Sequence, residues 1–179
     1  MFTRWDQIPK YPHIHYCVTA GWQYLDDSIQ RYVDEYGLNL DPDFQRAHVW
    51  TESQQVSFVE YMLREPTSGQ HLYFNHPGWM NSFEGDFVLV DGKQRLNAAL
   101  RFLRGEIRAF DSLVTDFVEF KDGIPSGGRI PSGIEFYINI ARLQTRRDVL
   151  QWYLDFNTGG TPHTVAEIER VRGLLEGEV

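Results

Sequence analysis

The chain has 179 residues, 25 of them acidic and 17 basic, for a formal net charge of −8 at neutral pH. That length fits one compact domain, and a hydrophobic content of 42% with 15% aromatic residues excludes a disordered chain, which cannot bury enough apolar surface to offset its entropy. The acidic balance excludes a uniformly basic DNA-coating protein, because counterion release needs clustered positive charge. One cysteine, Cys17, excludes a disulfide framework and a CxxC zinc ribbon. No apolar run approaches the roughly 18–20 residues of a membrane span, and residues 1–10 lack the apolar core of a signal peptide. A single domain over residues 1–179, soluble in a reducing cytoplasm and without a membrane partner, is expected. Of the basic residues 14 are Arg, and only Lys10, Lys93 and Lys121 are Lys. Arginine's rigid five-donor fork suits phosphate or carboxylate, and genomic base composition accounts for the bias equally well.

In chain order, residues 14–18 alternate weakly and are rich in β-formers, which predicts a short strand. From Trp22 the spacing of Leu25, Ile29, Tyr32, Val33 and Tyr36 is helical, and Gly37 is the stop. Thr51 opens a second helix, with Gln54 three residues on completing a capping box. Val56, Val59 and Leu63 form its apolar stripe. Residues 71–75 predict a strand, 77–85 a loop, and the continuous apolar run 87–90 a strand buried on both faces. That strand stops at Asp91-Gly92, and a helix follows with Leu96, Ala99, Leu100 and Leu103 on one face and Gly105 at its end. Residues 114–120 and 134–140 predict two further strands. Between them, residues 121–133 carry four Gly and two Pro, the composition of an irregular excursion. Two capped helices close the chain, one opened by Thr145 with Asp148, the other by Thr164 with Glu167. The whole predicts a mixed α/β (α+β) domain with a small sheet flanked by helices.

The sharpest chemical signal is Val88-Leu89-Val90-Asp91-Gly92-Lys93-Gln94-Arg95-Leu96. A buried strand turns at Gly92 straight into a helix, whose first turn leaves N–H groups unpaired at the positive end of the dipole. Such a corner binds anions, phosphate above all. Lys93 and Arg95 add charge, and Asp91 could hold a metal or accept a proton. Asp91 as a plain N-cap beside solvated bases explains the same pattern. A second signal, Asp43-Phe44-Gln45-Arg46, offers a donor–acceptor pair and a bidentate fork. Phe44, His48 and Trp50 around it could stack on a base, though packing is favoured. A third, Asn157-Thr158-Gly159-Gly160, could form a backbone nest for an anion, or simply a loop. His13 and His15 share a strand face without a third ligand nearby, so zinc is not expected. Cys17 reads as a buried, inert thiol. Neither a Gly-x-Ser-x-Gly elbow nor a GxxxxGK[ST] loop is present, which disfavours serine hydrolases and P-loop kinases.

Together, Asp43-Phe44-Gln45-Arg46 with Val49-Trp50, then Val90 to Leu96, then Phe156 to Gly160 resemble one family. The chain is similar, over about residues 38–176, to the ParB/sulfiredoxin-like family with the Asp-Gly-Gln-Gln-Arg signature. Those domains form the N-terminal half of GmrSD-type, modification-dependent restriction enzymes, and short free-standing members are phage-like. The resemblance implies a ParB/sulfiredoxin-like fold that handles nucleotides. It carries over Asp91, Gly92, Gln94 and Arg95 from the signature, Gln45 and Arg46 from the earlier box, and Asn157 from the late loop. Lys93 stands where the signature has its first Gln, and no segment after Val179 supplies the nuclease of the restriction enzymes. On this basis the expected activity is phosphoryl transfer with ATP or another NTP and Mg²⁺. Asp91, Arg95 and Lys93 would be catalytic, with Asp91 as the possible Mg²⁺ ligand. Gly92, Gln94, Gln45, Arg46 and Asn157 would bind the nucleotide. A kinase acting on a hydroxymethylated pyrimidine in DNA is the first expectation. The alternatives are an NTPase responding to modified DNA, and a non-catalytic DNA- or protein-binding module countering host restriction. The expected partners are a nucleoside triphosphate and DNA with modified bases.

Overall fold

The computed structural model describes Arg4 and residues 14–47, 49–66, 68–117, 120–121, 124–125, 130, 133–158 and 165–178. Along the chain run β1 (Ile14–Gly21), α1 (Leu25–Tyr36), α2 (Glu52–Met62), β2 (His71–Asn75), β3 (Val88–Asp91), α3 (Lys93–Leu103), β4 (Phe120–Lys121), β5 (Ile124–Pro125), β6 (Glu135–Ala141), α4 (Arg146–Thr158) and α5 (Val165–Glu176). Four strands form a mixed sheet in the order β1-β6-β2-β3, and β4 and β5 make a separate two-stranded ribbon. β6 pairs antiparallel with β1 and parallel with β2. β2 pairs antiparallel with β3.

Period-two alternation sends one set of side chains to each face of this sheet. Leu72, Phe74, Leu89, Phe136, Ile138 and Ile140 point to one face, where they form a buried cluster with residues of α1, α2 and α3. The other face is narrower. There Val90 and Ala141 pack with Phe44, with Val149, Leu150 and Trp152 of α4, and with Val171 of α5. This two-sided coverage explains why residues 87–90 read as one continuous apolar run.

The register of β3 carries a consequence for chemistry. Phe74 pairs with Leu89, but Tyr73 pairs with Asp91, so Val90 is an extra residue in β3. Such bulges re-aim a side chain. Here the bulge turns Asp91 to the α4 side of the sheet instead of into the α1–α3 core.

The helix starts follow their sequence signals. Gln54 N–H donates to Thr51 Oγ1 at 3.3 Å, and Thr51 N–H donates to Gln54 Oε1 at 2.8 Å, a complete capping box. Asp148 N–H donates to Thr145 Oγ1 at 3.1 Å in the same way. Thr164 lies outside the described residues. α1 ends at Gly37, whose φ of 67° closes the C-terminus.

Two expectations are corrected. Residues 114–120 are not one strand: Val114–Asp116 is a 3₁₀ turn, and among the described residues of this stretch only Phe120, with Lys121 after it, is in a strand. The turn wins because the Asp116 carboxylate accepts the Leu113 N–H at 2.8 Å, a local bond that no extended chain allows. Cys17 is exposed, not buried, because β1 is an edge strand and Cys17 lies on its uncovered side. Among the described residues no helix is long and apolar enough to cross a membrane.

Candidate functional site

A cavity of about 270 Å³ opens at the C-terminal end of β3. Gln45, Arg46, Asp91, Gly92, Lys93, Gln94, Arg95 and Asn157 line it, together with Trp50, Tyr153 and Phe156. All eight residues singled out from three distant sequence segments therefore meet around one space.

Gly92 makes the corner. It is the N-cap of α3 at φ 105°, and no side chain caps that helix. A Cβ at this position would sit 2.5 Å from Leu72 Cδ2, so glycine is required both by conformation and by space. The first-turn N–H groups of α3 are consequently left for an external acceptor.

The segment between α1 and α2 forms a second wall. It is irregular, yet its polar groups are matched. Asn39 bonds along β3, accepting from Leu89 N–H at 3.1 Å and donating to Phe87 O at 2.8 Å. Gln45 Nε2 donates to Leu89 O at 3.1 Å and Val90 O at 2.8 Å, standing in for a further strand at that edge. Gln94, buried in the first turn of α3, accepts the Val49 and Trp50 N–H groups, both at 3.2 Å. Arg170 of α5 donates to Asp43 O and Phe44 O, both at 2.7 Å. Phe44 is 2% exposed and packs edge-on against Tyr153 at 5.3 Å, so it packs and does not stack on a ligand. Trp50 reaches the cavity, and His48 lies outside the described residues.

These bonds divide the predicted set. Gln45 and Gln94 touch the cavity, but the donors of Gln45 and the acceptor of Gln94 are spent on main chain. Both shape the site instead of reaching for a ligand. Lys93 is similar: its side chain is only 15% exposed, and its ammonium pairs with the Asp41 carboxylate and donates to Arg46 O at 3.0 Å. Asn157 Nδ2 donates to Tyr153 O in its own helix at 2.6 Å.

Two guanidiniums remain. Among the described residues Arg46 has no side-chain hydrogen-bond or ion-pair partner. Arg95 donates through Nη2 to Asp91 Oδ2 at 2.6 Å and to His71 O at 2.9 Å. Its Nε is buried and has no hydrogen-bond partner there. Burial, above all, and the Asp91 carboxylate next hold the Tyr73 phenol above its ordinary range. Burial likewise raises Tyr153, against the pull of the Arg46 guanidinium. Both phenols are therefore neutral donors at pH 7. The site offers open amides and the guanidiniums of Arg46 and Arg95, donors that suit an anion.

The same set is a poor cradle for a cation. Among the described residues Asp91 is the one carboxylate lining the cavity, and Arg95 already holds it. Among the described residues no group of three or more His, Cys, Asp or Glu is placed to hold a metal. His15 is exposed, and His13 and residues 159–164, which carry the Gly159-Gly160 pair, lie outside the described residues.

Sequence reasoning missed Tyr153 and Arg170 as site residues: apolar spacing marks Tyr153 only as helix lining, and Arg170 carries no local signal, since its partners lie on a segment distant in sequence. Phe156 and Asn157, expected to open the loop after the helix, lie within α4.

Residues 25–130, more than half of the chain, match the family described as GmrSD restriction endonuclease, N-terminal domain. No curated protein and no solved structure matches. Gln45, Arg46 and Asp91 to Arg95 fall inside the matched residues; Tyr153, Phe156, Asn157 and Arg170 fall beyond them. The match corrects the expected function. The family is one of restriction endonucleases acting on modified DNA, which overturns the DNA kinase and the NTPase. The chain belongs to the family of N-terminal domains of GmrSD restriction endonucleases.

Proposed function

We propose that this chain engages modified DNA for a restriction enzyme by holding a strand phosphate in the cavity at the start of α3. One observation carries the proposal: two arginines without a full complement of acceptors, Arg46 and Arg95, flank the uncapped N-terminus of a helix. Uncapped amides and a helix dipole favour a phosphate, and arginine matches its oxygens bidentately. Gly92 lets the phosphate approach the backbone. Gln94, Gln45, Lys93 and Arg170 hold the wall that presents Arg46. Asp91 fixes the Arg95 fork. Tyr153 and Asn157 border the phosphate from α4.

The test is fluorescence anisotropy of the intact chain with a labelled duplex carrying 5-hydroxymethylcytosine, titrated over a range of salt. Arg46→Ala is expected to weaken binding about tenfold and to lower the slope of log K against log salt by about 1, as one lost phosphate contact requires. Arg95→Ala is expected to do the same. Mg-ATP, a polyanion for the same donors, serves as the competitor. Unchanged affinity and slope in both variants would place the phosphate elsewhere.

A further inference from the structure

The cavity does not end at its polar wall. Phe156, which lines it, packs against Tyr73 at 4.6 Å between ring centroids. Tyr73 lies nearly parallel to His71, two residues back on β2, with an interplanar angle of 16° and centroids 6.0 Å apart. His71 in turn faces Tyr137 of β6 at 5.0 Å and 32°. The sheet register dictates this row: His71 pairs with Tyr137, and Tyr73 lies between Asn139 and Asp91. A line of rings thus runs across the sheet from the cavity to the neighbourhood of β1.

Its environment differs from that of a core. α4 covers only the Phe156 end, through Trp152. At the far end His71 is exposed, Tyr137 is half-buried, and Cys17 and Thr19 beside them are exposed. Asn139 holds the far end in place, donating to Leu72 O at 3.1 Å and Tyr137 O at 2.8 Å, with His71 Nδ1 3.2 Å away. Arg95 binds both elements together: the guanidinium offered to the phosphate also donates to the His71 carbonyl.

Flat, half-exposed rings on an open sheet are surfaces on which unpaired bases stack. A base inside a duplex cannot lie on them, because its faces are already stacked on its neighbours. The geometry points to an unpaired nucleobase of the bound DNA strand lying on His71 and Tyr137, its phosphate side anchored at Arg46 and Arg95. This rests on the phosphate assignment above and adds the form of DNA: a strand with at least one base out of its stack. The arginines lie at the cavity end; at the far end the Tyr137 hydroxyl is hydrogen-bonded to the Glu135 carboxylate, so that end offers ring faces and no site for a phosphate.

The experiment compares two duplexes of one sequence carrying 5-hydroxymethylcytosine, one fully paired and one with a single bulged 2-aminopurine. The intact chain is expected to bind the bulged duplex about tenfold more tightly, the scale of one base–aromatic stack, and to quench the 2-aminopurine fluorescence. Tyr137→Ala and His71→Ala should each abolish most of that preference and of the quenching. Tyr137→Trp should retain both, which a merely structural role for the ring would not require. Thermal unfolding of each variant checks that the fold is kept. If the wild type binds both duplexes equally and Arg46→Ala still weakens both, the base platform is overturned and the phosphate site stands. A preference that survives in both alanine variants overturns it too. If the wild type binds neither duplex, the phosphate assignment fails, and the platform with it.

Discussion

α2 and α3 both begin at a sharp turn, and they treat their first amides in opposite ways. At α2 the chain closes its own helix end, through the reciprocal Thr51–Gln54 pair. At α3 it leaves the end open, with Gly92 as an N-cap that has no side chain to offer. The same sequence knows how to cap a helix, as Thr145 and Asp148 repeat at α4. The open end coincides with a cavity and with Arg46, which has no ion-pair partner among the described residues; the capped start of α4 also borders a cavity, of about 250 Å³, but there Arg146 is paired with Asp43 and Glu178. Unsatisfied donors thus mark where a partner belongs, and satisfied ones mark where the fold is complete.

That contrast can be broken or sharpened. The largest effect is expected at Gly92. Gly92→Ala forces a Cβ into Leu72 at a φ of 105° and should cost about 3 kcal/mol in urea unfolding. A loss below about 1 kcal/mol would show the corner to be soft. Gln94→Leu strips the acceptor from the Val49 and Trp50 amides and should cost about 2 kcal/mol while also weakening DNA binding, since the wall carrying Arg46 loosens. Stability lost with full affinity kept would separate the wall from the site. Thr51→Ala should cost about 1 kcal/mol and leave DNA affinity untouched, because that helix end serves only the fold. The smallest effect is set by pH. Buried His76 takes the Gly78 N–H on Nδ1 at 3.2 Å, and burial lowers its pKa below the ordinary histidine value. The unfolded chain then binds the proton more readily than the folded one. Stability is full above about pH 6.5 and falls as the solution is acidified through that value, by below about 1 kcal/mol between about pH 7.5 and 6. His76→Asn should flatten that slope; an equally steep profile in the variant would assign it to another group.

Much of this could be read from residues alone. The caps at Thr51 and Thr145, the strand at residues 71–75 and the corner after Val90 are local signals, written in spacing and side-chain chemistry, and they appear where expected. The meeting of Gln45, Arg46, Asp91 to Arg95 and Asn157 was legible only through family resemblance. What stayed hidden was tertiary. Nothing near Gln94 announces that its amide will be spent on residues 47–50. Lys93 looks like a free cation until Asp41 is folded against it. Cys17 sits in an apolar stretch, and only the strand order makes it an edge residue. Residues 114–120 carry β-forming side chains, yet one carboxylate at Asp116 redirects residues 114–116 into a turn.

The order of the sheet also governs how the molecule assembles. β6 lies between β1 and β2, so Ala20 must find Phe136 and Leu72 must find Ile138 before three of the four strands form one ladder. Such distant pairings make closure of long loops the slow event. During synthesis β1, β2 and β3 are all made before β6, so β1 can join the sheet only once residues past Ala141 have left the ribosome. The cavity at the start of α3 is walled by α4 and steadied by α5, so it is complete only after those C-terminal helices have packed.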